Sequence, residues 1–272
     1  MNYGDEQTYL FNFRMTRVQL EHASDKIAEA GYLKDSMHSA HSLRLSGRFK
    51  FATCCYVLAF GGSAGNYFKF AADVAGLGQR TVETWMYEIP KGIMKVLGAD
   101  YLYTMSPSAW HIQACRDAFA ARRGFPSIAQ AVDGTHVPFN PISCPNKYLY
   151  KNYKGWFSLH VLAYVNSFHL FTNMAIGGTG RTSDVAALKK CPFFAKIAAN
   201  RTMWLGEGGF ILGDGGTTDP NGILLTPINI PRTVQDKWYH FCHSSTRFFV
   251  EETFGRWKNR FRYLDVQACT HT

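Results

Sequence analysis

Two textures follow one another along the chain. Up to about residue 124, apolar positions recur at helical spacing; beyond Phe125-Pro126 they run in short continuous or alternating stretches. The first part predicts a helix over 15–32, with Val18, Ile27 and Ala28 among its apolar positions, and another over 43–60. Gly61-Gly62-Ser63 breaks the second as a loop and helix cap would. A short amphipathic helix, 67–75, then meets a Gly76-Leu77-Gly78 turn and a further helix, 81–89, before Pro90. Short helix, glycine turn, second helix is the layout of a helix-turn-helix, although bundles also contain such turns by accident. The second part predicts strands over 128–137, 156–165 and 169–176, with Gly177-Gly178-Thr179-Gly180 as a closing turn. A helix over 183–190 follows, then a short strand, 210–212, running into Gly213-Asp214-Gly215-Gly216. One more short strand at 224–227 and a helix from about 244 to 260 complete the pattern. The expected fold class is α/β: a mixed sheet with flanking helices over 125–272, behind a helical domain over 1–124.

Composition narrows the class. Hydrophobic residues make up 46% of the 272 and charged residues 18%, which excludes a disordered chain. The most apolar stretch, 51–60, is too short to cross a bilayer, and residues 1–7 carry Asp5 and Glu6 with no apolar core of a secretory signal. Seven cysteines with no C-x-x-C argue against a disulfide scaffold or zinc ribbon and for a reducing compartment. Lys+Arg exceed Asp+Glu by 29 to 20, a formal charge of +9, which suits a polyanionic partner.

Three acids stand out by context. Asp133, in Ala131-Val132-Asp133-Gly134-Thr135-His136, and Asp214, in Ile211-Leu212-Gly213-Asp214, each sit where an apolar strand is expected to open into a loop. Glu251 lies on the last helix. Taken singly, each Asp-Gly reads as a turn and Glu251 as a solvated acid. Together, three carboxylates converging from two strand ends and a helix would repel unless cations sat between them. Hard oxygen donors suit Mg²⁺ or Mn²⁺, and two such ions can activate water for attack on a phosphodiester. A phosphatase loop would need a nucleophile two residues before Asp133, where Ala131 stands. His240, Cys242 and His243 lack a partner pair with ligand spacing, and Gly177–Gly180 and 206–216 read as turns rather than phosphate loops. Basic residues surround the acids: Lys147, Lys151 and Lys154 are interleaved with Tyr148, Tyr150, Tyr153 and Trp156, Arg181 precedes Asp184, and Arg247, Arg256, Lys258 and Arg260 flank Glu251. A cationic rim with aromatics suits a nucleic-acid backbone.

Five segments in order then carry a resemblance. They are Val132-Asp133-Gly134-Thr135-His136; Tyr150-Lys151-Asn152-Tyr153-Lys154-Gly155-Trp156-Phe157-Ser158; Gly177 to Asp184; Gly213-Asp214 with Leu224-Leu225-Thr226-Pro227; and His243 to Glu251 with Phe254-Gly255-Arg256. The chain resembles the PIF/Harbinger-class transposases of the DDE superfamily and their domesticated relatives, from about residue 11 to 264. The resemblance implies an RNase H-like core behind a helical domain with a helix-turn-helix. It implies that Asp133, Asp214 and Glu251 hold two Mg²⁺ or Mn²⁺ ions for cleaving and joining terminal-repeat DNA. With it go DNA contacts from Arg80, Lys147, Lys151, Lys154, Arg181, Arg247, Arg256, Lys258 and Arg260, a Myb-like accessory protein, nuclear location and compatibility with a homo-oligomer. The competing reading is a catalytically decayed or domesticated DNA-binding protein that keeps the fold.

Overall fold

The computed structural model describes residues 5–38, 43–61, 67–103, 106–139, 145–215, 219 and 221–265. The chain divides into two compact units, Met1–Tyr101 with Trp257–Thr272, and Leu102–Arg256. The change of texture at 124/125 therefore lies inside the second unit, because the helix before it packs on the sheet after it.

The first unit contains α1 (Glu6–Phe13), α2 (Arg17–Glu29), β1 (Ser36–His38), β2 (Leu43–Leu45), α3 (Gly47–Phe60), α4 (Tyr67–Ala75), α5 (Gln79–Val96) and α6 (Gly98–Tyr101). Its boundaries are written in capping side chains. Thr16 and Gln19 form a reciprocal capping box at α2, and Ser46 accepts from the Phe49 amide at α3. Ser46 is why the helix expected over 43–60 begins four residues late, leaving 43–45 free to pair antiparallel with β1. Phe13, Leu20, Ile27, Phe51, Cys54, Cys55, Trp85 and Ile89 form the core. Gly76, at φ +67°, turns α4 into α5, whose axis continues through Pro90. The helix–glycine–helix layout is thus present.

The second unit contains α7 (Ala109–Arg123), β3 (Ile128–Pro138), β4 (Ser158–Val165), β5 (Phe171–Thr179), α8 (Asp184–Lys190), α9 (Pro192–Ala199), α10 (Arg201–Leu205), β6 (Phe210–Leu212), β7 (Leu224–Leu225) and α11 (Val234–Arg260), whose last turn enters the first unit. The five strands make one mixed sheet in the order β5-β4-β3-β6-β7. β3, β4 and β5 are antiparallel neighbours, whereas β6 and β7 run parallel to β3. β4 reads Leu-His-Val-Leu-Ala-Tyr-Val with its last six residues buried, as befits a central strand. Val132, Leu162, Tyr164, Leu188, Phe193, Ile197, Trp204, Leu205 and Ile211 form the core under the sheet. Fully burying such side chains contributes about 1.5–3 kcal/mol each. Two expectations are corrected. Gly177-Gly178-Thr179 belongs to β5 rather than to a closing turn, since Gly178 and Thr179 still pair with β4. The last helix begins at Val234, ten residues earlier than expected. No helix among the described residues is long and apolar enough to cross a membrane.

Candidate active site

Register brings the first two acids together. β3 and β6 are adjacent and parallel, and their last paired residues are Ala131 and Leu212. Asp133 and Asp214 each lie two residues further on, at the same level of the sheet. The placement of Asp133 differs from expectation: β3 continues to Pro138, so this acid sits in mid-strand, where the buried half of the strand gives way to a half-buried one. Gly213 lets β7 close on β6, since a Cβ there would lie 2.7 Å from Leu224. Asp133 and Asp214 line one small cavity together with Val132, Leu162, Leu188, Leu224 and a third carboxylate, Asp184.

Asp184 is the residue that the sequence reading left out of the site. It opens α8 behind the cap Ser183, whose Oγ accepts from the Ala186 amide. Its Oδ1 lies 2.6 Å from Nε2 of His160 on β4. His160 is 2% exposed, and its Nδ1 has no hydrogen-bond partner among the described residues. A Cβ on Gly134 would overlap Asp184 Oδ1 and come within 2.6 Å of His160 Nε2. Gly134 is therefore the space through which Asp184 reaches the centre, rather than a turn residue. The only sequence signal for Asp184 was its place at the end of the Gly177–Asp184 run; His160, alone on an apolar strand with its partner 24 residues away, had none.

Glu251 approaches from α11. Arg247, one helical turn before it, donates from Nη2 to Glu251 Oε1 at 2.6 Å and from Nη1 to Asp133 Oδ2 at 3.0 Å. The guanidinium thus bridges the helix acid and the strand acid. Asp133 is nevertheless pushed up to about 6, mainly by burial and further by the charges of Asp184 and Asp214, against the opposing pull of Arg247. Neighbouring Glu252 points elsewhere and pairs with Arg256 at 2.6 Å, as a 100° step between adjacent helix residues requires. Val250 and Phe254 of the same helix are buried.

A larger cleft, about 810 Å³, opens beside the acids. Its lining includes Asp214, Asp184, His136, Tyr148, Lys151, Tyr153 and Arg181. Of the basic residues singled out from sequence, Lys151 and Arg181 face this cleft, and Lys154 lies beside it with Nζ 5.6 Å from the Tyr153 ring. Lys147 is exposed on the 3₁₀ turn Lys147–Tyr150. Arg256 is engaged with Glu252, Arg247 with two acids, and Arg260 with the Arg14 carbonyl at 2.9 Å. Arg80, on α5 of the first unit, is exposed beside Glu83, and Lys258 is on the last turn of α11.

The donor set around Asp133 is made of carboxylate oxygens, which is the chemistry that Mg²⁺ and Mn²⁺ prefer. Among the described residues, no three His, Cys, Asp or Glu side chains already close on one point as a finished metal cage would.

These acids fall within a known sequence family. The profile described as "DDE superfamily endonuclease" matches residues 132–271, just over half of the chain, and the chain belongs to that family. Among curated proteins it is similar to the human "Putative nuclease HARBI1", 26% identical over 208 residues, which is 75% of this chain and 56% of that protein. The Bos taurus protein of the same name is 25% identical over 208 residues, with the same shares covered. The Xenopus laevis protein is 23% identical over 213 residues, 76% of this chain and 58% of that one. The chain thus spans little more than half the length of these relatives. No solved structure matches it. The motif-based resemblance is borne out at the level of the family.

Proposed function

We propose that the second unit is a metal-dependent nuclease with an RNase H-like core that cleaves DNA phosphodiesters. The observation that carries this reading is the matched placement of Asp133 and Asp214 on neighbouring parallel strands beside a cleft with cationic walls. Family membership supports it, as does the name nuclease given to the relatives. Asp133, Asp214 and Glu251 would hold two Mg²⁺ or Mn²⁺ ions. Bound there, such ions would activate water and stabilise the leaving oxygen. Lys151 and Arg181 would hold the DNA backbone along the cleft. The helix–glycine–helix of the first unit, with Arg80 exposed on its second helix, is the proposed duplex-binding element. The joining of transposon ends, a Myb-like partner, a homo-oligomer and a nuclear location all belong to this same reading.

Purified protein should nick DNA in Mg²⁺ or Mn²⁺ and not in excess chelator; robust cleavage in chelator would overturn the metal mechanism. One observation favours a second reading, a DNA-binding protein without catalysis. Arg247 already stands between Asp133 and Glu251, where a cation would have to enter. Salt-sensitive DNA binding with no cleavage in any divalent metal would put that reading ahead.

A further inference from the structure

The tip of the segment between β3 and β4 is built as a fixed turn that holds an aromatic ring out. Lys151 pairs with Phe157 across an isolated bridge, and the Asn152 amide donates to the Trp156 carbonyl at 2.8 Å. Asn152 is buried, and its Oδ1 accepts from the amides of Lys154 and Trp156. Its Nδ2 donates to Ser158 Oγ at 3.1 Å, and Ser158 Oγ in turn lies 2.9 Å from His136 Nδ1. Gly155, at φ +90°, completes the reversal at Tyr153-Lys154-Gly155. The opposite wall is pinned as well: the Arg181 amide donates to the Leu149 carbonyl, and a Cβ on Gly180 would overlap the Tyr150 carbonyl.

On this rigid frame the rings are unusually open. Tyr153 is 83% exposed and Tyr148 59% exposed. The Tyr153 ring meets the His136 ring at 6.0 Å and 64°, and the Lys154 ammonium lies over it at 5.6 Å, leaving its other face to solvent. Lys151, Lys154 and Arg181 stand around these rings, and none of the three has a carboxylate partner among the described residues. The cleft runs from the rings to Asp184 and Asp214. A duplex keeps its bases inside the stack and offers no ring face to a tyrosine, whereas an unpaired strand offers one at every base. Exposed aromatics set among cations along a cleft are what a single strand requires: stacking for its bases and counter-charge for its phosphates.

We infer that this cleft takes an unpaired stretch of the DNA strand, with a base stacked on Tyr153 and phosphates on Lys151 and Arg181, and leads that strand to the carboxylates. The inference rests on the DNA reading above and sharpens it, since it names the single strand rather than the duplex as what fills the cleft.

The test is fluorescence anisotropy on the full chain without added metal, using a blunt duplex, the same duplex with an unpaired 3′ tail, and the tail alone. Tyr153→Ala should weaken binding of the tailed duplex and the free tail by roughly tenfold, as loss of one stacked base does. It should leave the blunt duplex within about twofold, because phosphate contacts to the duplex do not use the ring. Tyr153→Trp should restore the tail-dependent part, which loss of the loop's fold could not do. Equal losses on tailed and blunt duplexes, or no loss on either, would overturn the inference. Blunt-duplex binding that persists in that case leaves the nucleic-acid reading standing. If wild type binds none of the three DNAs at low salt, both fall together.

Discussion

The two sides of the site are held by different means. On the sheet side, strand register and a missing side chain at Gly134 fix Asp133, Asp184 and Asp214 around one cavity. On the helix side, each acid is neutralised by an arginine on its own helix, Glu251 by Arg247 and Glu252 by Arg256. Burial and the neighbouring acids push Asp133 up to about 6 even though Arg247 reaches across to it from the helix. Long side chains on a helix surface can re-pair at little cost. On the nuclease reading, the strand half of the centre would be preformed, and Arg247, which bridges Asp133 and Glu251, would have to give way to a cation.

The largest effect expected from this contrast separates the two helix acids. Glu251→Gln should abolish metal-dependent nicking while DNA binding and the folded circular-dichroism signal survive, and Glu252→Gln should keep most activity. Equal losses in the two variants would mean that α11 is rotated relative to the site. Next comes the crowding of the sheet side. Gly134→Ala forces a Cβ onto Asp184 and His160 and should destabilise the protein by about 1–3 kcal/mol in urea unfolding, as overpacking does. A smaller effect concerns which cations meet DNA. Lys151→Ala with Arg181→Ala should flatten the plot of log affinity against log salt for tailed DNA by about two single-strand contacts' worth, roughly 1.4 in slope. Arg256→Ala, whose charge is already taken by Glu252, should hardly change it. The smallest effect is the mirror of Gly134. Gly255 is a helical glycine of α11 with open space around it, so Gly255→Ala should stabilise by about 0.5–1 kcal/mol.

What could be read from sequence follows the same division. Strands β3, β4, β6 and β7 and helix α8 were legible because alternation, β-branched runs and a Ser cap are local signals. The pairing of Glu252 with Arg256 follows from their four-residue spacing on one helix, although Arg256 was expected from sequence to contact DNA. Strand β2 was hidden inside the helical-looking run over 43–60, since only Ser46 marks where the helix starts, and β1 lay between the two expected helices. Helices α1, α6, α7, α9 and α10 are absent from the expected pattern. Asp184 was visible as a residue but not as a partner of Asp133, because its approach depends on the absence of a Cβ on a different strand. The role of Arg247 as a bridge was equally out of reach: Asp133 is 114 residues away in sequence, and periodicity carries no information on such contacts.

The central claim is that Asp133 and Asp214 act as one centre. The most direct measurement is the nicking rate of supercoiled DNA in Mg²⁺ by wild type, Asp133→Asn and Asp214→Asn, with DNA affinity measured in parallel. Wild type should nick, and each variant should lose about a thousandfold or more, equivalent to roughly 4 kcal/mol of barrier, while binding DNA as before. Metal-dependent nicking that persists near the wild-type rate in either variant would contradict it.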